Sequence, residues 1–315
     1  MYKGYITDIN GIKVGHAQNF EAGTGLTVLI PPANNTCAVE VRGSAPGTRE
    51  TDLLDPINTV NSVNAIILSG GSAYGLDAAS GVMEALEADG YGLDVGVGIV
   101  PIVPQAVLFD LAYKNSKIRP DKNMGKEAYN NASLNENCQG IIGAGTGATV
   151  GKILGMENIM KAGLGSATLT EGDLKVSALA AVNAFGDIYD YEKGIQIAGP
   201  IKDGKMIKTN NTMRNIMKDF SSLANKNTTI GIVATNASFD KTKLKKIAQM
   251  THDGFARSIN PVHTGFDGDT VFALATNEVK ADINLVGVMA ADVMSRAIAN
   301  AIYSLNEIHN QENYI

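Results

Sequence analysis

The stretch NKNTTIGIVATN, residues 225–236, joins two different kinds of sequence in this 315-residue chain. Its second half, TIGIVATN (229–236), is a short apolar run of β-compatible residues and predicts a buried strand. Before it lies a segment rich in Lys, Asn, Thr and Met that has no clean periodicity, which predicts a flexible linker over residues 201–227. Asn227 and Thr228 therefore stand at the junction of a linker and a core strand.

Two interpretations of the Asn227–Thr228 junction are open on the residues alone. Asn-Thr is a common turn before a strand, and turn statistics favour that interpretation. In the other, the Thr228 hydroxyl attacks the Asn227 carbonyl, and water then cleaves the ester that results. The new N-terminal threonine would carry a nucleophilic hydroxyl beside an α-amino group, whose reference pKa of about 7.7–8.0 suits a base near neutral pH.

Apolar periodicity elsewhere predicts a mixed α/β chain. Further buried strands are predicted at VNAIILS (63–69), DLKVSALAAVNAFGD (173–187) and TVFALAT (270–276). Helical spacing predicts helices over residues 74–87, around 241–249 and from about 282 to 309, with Gly70-Gly71 as the turn before the first. Thirty-four glycines and no tryptophan are typical of tight turns and close packing, and we expect one domain over residues 1–315.

Composition excludes several classes of partner. The net charge is −6 and the 26 Lys and Arg residues are scattered, so no basic stripe predicts a nucleic-acid interface. Two cysteines without a CxxC spacing predict neither a disulfide framework nor a zinc site. The N-terminus lacks a signal-peptide run, and the apolar stretch GVGIVPIVPQAVLFDLAY (96–113) is interrupted by prolines and polar residues. We therefore expect a soluble cytoplasmic protein without a membrane partner.

The sequence does not match the common motifs for phosphate binding, serine hydrolases or metal binding. GAGTGATVGK (143–152) would need Gly at Thr146 and Ser or Thr at Ile153 to form a phosphate-binding loop, so tight packing is the favoured interpretation. No GxSxG nucleophile elbow occurs, and the four histidines show no metal-ligand spacing. No metal and no organic cofactor are predicted.

An acidic pair, Asp267-Gly268-Asp269, stands directly before a predicted strand. Residues two apart in extended backbone point the same way, so both carboxylates could face one spot and orient a hydroxyl or accept a proton. Asp-Gly is also a turn signal, and that interpretation is favoured for the pair alone. His263 lies nearby, where a hydrogen-bonded structural histidine is favoured over a functional one.

Taken together, the sequence blocks resemble those of the DmpA-type peptidase family, self-processing aminopeptidases that act through an N-terminal Ser or Thr. The blocks, in chain order, are GIKVGH (11–16), RGSAPGTRETDLL (42–54), LSGGSAYGLDAASGVMEALE (68–87), VPIVPQAVLFDL (100–111), GAGTGATVGK (143–152), KAGLGSA (161–167), AVNAFGD (181–187), NTTIGIVATNA (227–237) and FDGDTVFALAT (266–276). No single block is specific for the family, but their order along the chain is. Together the blocks cover nearly the whole chain.

The resemblance implies a set of roles for particular residues. Autocleavage would fall between Asn227 and Thr228, giving chains 1–227 and 228–315, with Thr228 as the nucleophile. Asn183 matches an asparagine that helps to hold the oxyanion. The remaining matches are Asp267 and Asp269, which position the nucleophile and its amino group in relatives, and Lys152, implicated in the branch of 6-aminohexanoate-oligomer (nylon) hydrolases.

Departures from the serine peptidases of the family favour that nylon-hydrolase branch. Those peptidases have Gly-Ser or Asn-Ser at the cleavage point, Ser-Gly-acid at Asp267 to Asp269, and a tyrosine near Gly151-Lys152 that is missing here. The resemblance thus leaves two substrate classes open, short peptides and ω-amino-acid oligomers. Phe109 is a candidate for the substrate wall, since an apolar site suits an alkyl or small side chain.

The family also implies a four-layer αββα sandwich, an α/β fold with the site logic of N-terminal-nucleophile hydrolases, and homotetramers of processed units. The expected partner is a small-molecule amide or short peptide. Three rival functions remain: acyl transfer like that of ornithine acetyltransferases, an uncleaved binding protein, and a metal site at Asp267 and Asp269.

Overall fold

The computed structural model describes residues 1–216 and 227–312 as an alternation of strands and helices. The strands are β1 (Lys13–Asn19), β2 (Thr24–Ile30), β3 (Thr36–Val41), β4 (Gly47–Arg49), β5 (Ile66–Ser69), β6 (Leu93–Asp94), β7 (Ile99–Val100), β8 (Gln105–Val107), β9 (Thr149–Val150), β10 (Met160–Lys161), β11 (Leu164–Glu171), β12 (Leu174–Asn183), β13 (Asp187–Asp190), β14 (Ile195–Ala198), β15 (Ile201–Lys202), β16 (Lys205–Met206), β17 (Thr228–Ala237), β18 (Ile259–Asn260) and β19 (Thr270–Val279). The helices are α1 (Ala78–Ala88), α2 (Lys122–Asn130), α3 (Thr209–Ile216), α4 (Lys241–Ser258) and α5 (Ile283–Glu312).

Strand β17 is the middle strand of a five-stranded sheet with the order β11-β12-β17-β19-β3. It runs antiparallel to β12 and parallel to β19, and all ten of its residues are buried. A strand covered on both faces has a nearly continuous run of apolar residues, as TIGIVATN (229–236) does. A second five-stranded sheet has the order β1-β2-β5-β8-β4.

The two sheets stack between two pairs of helices, which gives the predicted α-β-β-α order of layers. Residues between the sheets include Leu29, Leu68, Leu179, Ile232 and Phe272. The first sheet packs its other face on α4 and α5 through Val176, Val233, Leu244, Phe255, Val293 and Met294. The second sheet packs on α1 and α2 through Leu26, Val28, Ile67, Val82, Leu86 and Ala128. Alternate residues of β17 thus face different layers, because side chains alternate along a strand.

The strands and helices predicted from periodicity are confirmed, with shifts at their ends. The first predicted helix opens as a 3₁₀ turn over Ser72–Asp77 and continues as α1. Gly71 lies in the left-handed region at φ 83°, as the predicted turn requires. The helix predicted around 241–249 extends to Ser258.

The first part of the predicted linker carries secondary structure. A two-stranded ribbon, β15 and β16, and helix α3 occupy residues that were expected to have none, and Asn227 forms a bridge with Asp267. The start of α3 is held by Thr209, whose backbone N–H and hydroxyl both donate to Asp187, at 3.0 Å and 2.5 Å. Helix α3 contains only two apolar residues, Met213 and Ile216, so its sequence does not resemble that of a core helix. The rest of the prediction, at residues 217–226, lies outside the described residues.

Helix α5 is long and apolar enough over Ile283–Leu305 to cross a membrane by length and composition alone. In the structure, 78% of its most apolar 18-residue window is buried inside the protein. The apolar character of α5 therefore matches a core helix packed on the sheet.

Close packing of α5 on the sheet gives a test of the fold. A Cβ at Gly165 in β11 would lie 2.1 Å from the Ala297 carbonyl oxygen and 2.3 Å from the Ala301 nitrogen, both helix backbone atoms. We expect Gly165→Ala to lower the free energy of unfolding by about 3 kcal/mol, since backbone cannot move aside locally. Gly98→Ala, with nothing within 4 Å, should change it by less than about 1 kcal/mol. Urea unfolding of both variants, in a Thr228→Ala background, checks this; equal losses would contradict the packing described.

Candidate active site

The start of β17 meets the end of β12 across one register position. Thr228, the first residue of β17, pairs with Asn183, the last residue of β12. Both residues are buried, with Thr228 4% exposed. The backbone ladder therefore brings together two of the residues that the sequence singled out.

The Thr228 hydroxyl lies against the peptide bond that precedes it. It donates a hydrogen bond to the carbonyl oxygen of Asn227, the bond at which cleavage is predicted. The backbone N–H of Gly268 donates to the same hydroxyl oxygen at 3.2 Å. A hydroxyl, an adjoining carbonyl and a backbone N–H donor are the elements that acyl transfer needs.

The Asn183 side chain is held by three groups. Its Oδ1 accepts from Lys152 Nζ at 2.7 Å and from the Thr149 backbone N–H at 3.1 Å, while its Nδ2 donates to the Phe109 carbonyl at 2.9 Å. Because a backbone N–H can only donate, the Thr149 contact fixes which side-chain atom is the oxygen. The amide orientation at the proposed oxyanion position is thus set by its neighbours.

Burial shifts the pKa values of Lys152 and Asp267 toward their neutral forms. Burial lowers the pKa of Lys152 to about 7, partly offset by the charges of Asp267 and Asp110. Burial also raises the pKa of Asp267 to about 6, and repulsion from Asp269 adds to this, while hydrogen bonds from Thr264 oppose it. Lys152 contacts Asn183, and Asp267 forms a backbone bridge with Asn227. Two groups with such shifted pKa values at one place are typical of a catalytic site.

The two carboxylates of the acidic pair accept hydrogen bonds from different partners, although each lies close enough to affect the charge of the other. Asp269 Oδ1 accepts the backbone N–H of Thr229 at 2.7 Å. Asp267 Oδ2 instead accepts the hydroxyl and N–H of Thr264, at 2.6 Å and 2.9 Å. The pair lies in a loop before β19 and does not continue the strand, so simple alternation does not describe it.

A loop that sequence reasoning did not assign holds the acidic pair through backbone contacts. The N–H groups of Arg42 and Gly43 donate to the Asp269 carbonyl, and the Ala45 N–H donates to the Asp267 carbonyl, at 2.9–3.2 Å. A Cβ at Gly43 would lie 2.2 Å from the Asp269 nitrogen. The segment RGSAPGT therefore holds the acidic pair as a clamp made of backbone N–H groups. Gly43 was the one feature of its sequence that could have indicated such a close approach of two backbones.

A cavity of about 460 Å³ opens beside Thr228. Phe109, the candidate for the substrate wall, lies in the lining of this cavity. Ser44 and Ser72, which sequence reasoning missed, also line it, together with Asn227 and Thr228. Within residues 1–216 and 227–312, the lining contains no charged side chain.

The structure also shows how the glycine-rich segment GAGTGATVGK (143–152) and the His, Cys, Asp and Glu side chains are arranged. GAGTGATVGK is packed closely: a Cβ at Gly145 would lie 2.2 Å from the Leu164 nitrogen. Among the described residues, no cluster of three or more His, Cys, Asp or Glu side chains is arranged to hold a metal ion.

Solved structures of similar fold define the class of protein. An L-aminopeptidase D-Ala-esterase/amidase from Ochrobactrum anthropi, described as a variant of the Ntn hydrolase fold, has a TM-score of 0.69 at 18% identity, covering 95% of this chain and 86% of that one. A β-aminopeptidase from a Burkholderia species also has a TM-score of 0.69, at 19% identity, with coverage of 95% and 86%. The chain has this variant of the Ntn hydrolase fold.

The sequence comparisons give the family. The model of peptidase family S58 matches residues 4–314, so the chain belongs to that family, the DmpA family, and is a hydrolase of amide or peptide bonds. An uncharacterised aminopeptidase of Mycobacterium leprae is 38% identical, over 96% of this chain and 91% of its own length. A 6-aminohexanoate-oligomer endohydrolase of a Kocuria species is 30% identical, over 93% of this chain and 84% of its own.

Two glycines of one loop give a matched test of the site. A Cβ at Gly268 would lie 2.6 Å from the Ala45 carbonyl oxygen and 2.9 Å from the Thr228 hydroxyl oxygen, whereas one at Gly265 would meet nothing within 4 Å. We expect Gly268→Ala to slow amide hydrolysis by about tenfold to a hundredfold, because small displacements at a reacting centre are costly. Gly265→Ala should hydrolyse at nearly the wild-type rate. Equal rates of hydrolysis for the two variants would show that the Gly268 contact does not contribute to the site.

The lowered pKa of Lys152 predicts a pH dependence of stability. Between about pH 7 and pH 10.5 the folded chain leaves Lys152 neutral, whereas the unfolded chain keeps it protonated. The unfolded state then binds more protons, so stability should rise with pH over this window, by at most about 1.4 kcal/mol per pH unit. Lys152→Met should remove this rise. Urea unfolding at pH 7, 8 and 9 in a Thr228→Ala background tests it; identical slopes with and without Lys152 would contradict it.

Proposed function

We propose that the chain is a self-processing amidohydrolase whose nucleophile is Thr228. The contact that carries the proposal is the hydrogen bond between the Thr228 hydroxyl and the Asn227 carbonyl, which puts the nucleophile beside the bond it would break. The Gly268 N–H on the same hydroxyl oxygen supports it. So does the family, whose O. anthropi fold relative is described as a prototype of the serine aminopeptidases.

Maturation would proceed by an acyl shift followed by hydrolysis. Thr228 Oγ1 adds to the Asn227 carbonyl carbon, the C–N bond breaks, and the hydroxyl proton ends on the released α-amino group. Water then cleaves the ester, leaving an Asn227 carboxylate and restoring the hydroxyl. The products are chains of residues 1–227 and 228–315.

Turnover would repeat this chemistry on an external amide. The Thr228 α-amino group takes the hydroxyl proton, Oγ1 adds to the substrate carbonyl, and the departing amine receives the proton. Water hydrolyses the acyl-enzyme ester. In this proposal the Asn183 amide, whose oxygen Lys152 holds, supports the oxyanion. The Gly268 N–H contacts the oxygen of the nucleophile, and Asp269 holds the neighbouring Thr229 N–H.

The cavity beside Thr228 supports a proposal for the class of acyl group. In the uncleaved chain Asn227 lines the cavity as the acyl donor of the first reaction, so an external substrate would place its acyl part in the same space. With Phe109 and small residues in the wall, this space suits a small residue or an alkyl chain, such as the 6-aminohexanoate unit named for the Kocuria relative. A short-peptide aminopeptidase is the second candidate, favoured by the identity to the M. leprae protein.

The denatured mass of the purified protein tests self-processing. Wild type should give two fragments, divided between Asn227 and Thr228. Thr228→Ala should remain one intact, folded and inactive chain, since it has no hydroxyl to attack the carbonyl.

Thr228→Ser is the matched control, because it keeps the hydroxyl and loses only a methyl group. It should still divide and hydrolyse amides. A Thr228→Ala chain that divides after Asn227 would refute the mechanism, and so would an intact wild-type chain that hydrolyses amides at full rate.

A further inference from the structure

His263 makes two contacts with one oxygen of Asp269. Its ring Nδ1 lies 2.8 Å from Asp269 Oδ2, and its backbone N–H donates to the same oxygen at 3.2 Å. A carboxylate oxygen accepts, so the Nδ1 side carries the proton. The ring is 19% exposed and packs against Phe255 and His252, with centroids 6.1 Å and 4.8 Å away.

The other oxygen of Asp269 leads to the nucleophile. Asp269 Oδ1 accepts the N–H of Thr229, the residue that follows Thr228. The carboxylate is 2% exposed, so solvent contributes little to its orientation. A rotation of the carboxylate that breaks the His263 contact would also move the acceptor away from Thr229.

We propose that His263 is a positioning residue for the nucleophile. It acts through Asp269: the imidazole holds Oδ2, and Oδ1 then fixes the peptide between Thr228 and Thr229. This inference rests on the proposed function, because it concerns the placement of Thr228 during maturation and turnover. It adds a residue outside the Asn183, Lys152, Asp267 and Asp269 set.

Two properties of His263, its backbone conformation and the position of its Nδ1 donor, determine which substitutions test its role. His263 has φ 52°, a left-handed conformation that Asn and Gly adopt readily. Asn places its side-chain N–H₂ at the same distance from Cα as Nδ1, so His263→Asn keeps both the backbone and the donor. His263→Gly keeps the backbone and deletes the donor. His263→Gln moves the donor one bond further, toward the Nε2 position.

The experiment measures chain division and hydrolysis of a 6-aminohexanoate oligomer and of alanine p-nitroanilide by wild type and the three variants. His263→Gly and His263→Gln should lower kcat by about tenfold or more, with KM changed less than about threefold, and slow maturation in the same order. His263→Asn should recover kcat to within about threefold of wild type. Melting temperatures, measured in a Thr228→Ala background, should not follow this order, as they would for a merely structural residue.

Several outcomes would overturn the inference. Full activity of both His263→Gly and His263→Gln would do so, and so would an equal loss in His263→Asn and His263→Gln. If His263→Gly does not fold, the Asn and Gln pair alone carries the comparison. A wild-type chain that neither divides nor hydrolyses either amide would instead overturn the proposed function, and this inference with it.

Discussion

The register of β17 between β12 and β19 is the constraint on which the site depends. Antiparallel pairing puts Asn183 opposite Thr228, and parallel pairing puts Thr270 beside Ile230. The loop that ends at Thr270 therefore brings Asp269 to the Thr229 N–H. A slip of one residue would turn the apolar face of β17 the wrong way in both neighbouring layers, so core packing protects the geometry of the site.

Small residues make that geometry possible at the point where two loops meet the start of β17. Gly43 and Gly268 lie where any side chain would collide with backbone or with the Thr228 hydroxyl. Backbone N–H groups, not side chains, therefore hold the acidic pair and donate a hydrogen bond to the nucleophile. Asn183 is held by a buried lysine whose burial lowers its pKa and so favours its neutral form.

Most of the fold, and part of the site, could be predicted from the residues. The strand after Thr228, helix α5 and the strand ending at Asn183 are long, apolar segments, and for these the sequence pattern was sufficient. Thr228 itself was singled out by its place before a strand, yet the residues alone favoured a turn, and only the order of the family's sequence blocks changed that balance. His263 was expected to be a hydrogen-bonded structural histidine; the bond is present, but its partner is Asp269.

The remaining features depend on contacts between distant segments. The Gly268 N–H on Thr228, the clamp from Gly43 and the different partners of Asp267 and Asp269 are set by how loops meet in space. The ribbon is only two residues long on each side, and the start of α3 is held by the bond between Thr209 and the distant Asp187.

Trapping the acyl-enzyme would test the central claim most directly. A slowly hydrolysed amide or ester substrate would be mixed with the protein, quenched in acid within one turnover, and the peptides mapped by mass. The account predicts one acyl group, bound as an ester to the Thr228 hydroxyl at the N-terminus of the 228–315 fragment. An acyl group on any other side chain, or hydrolysis in full without a trapped adduct on Thr228, would contradict it.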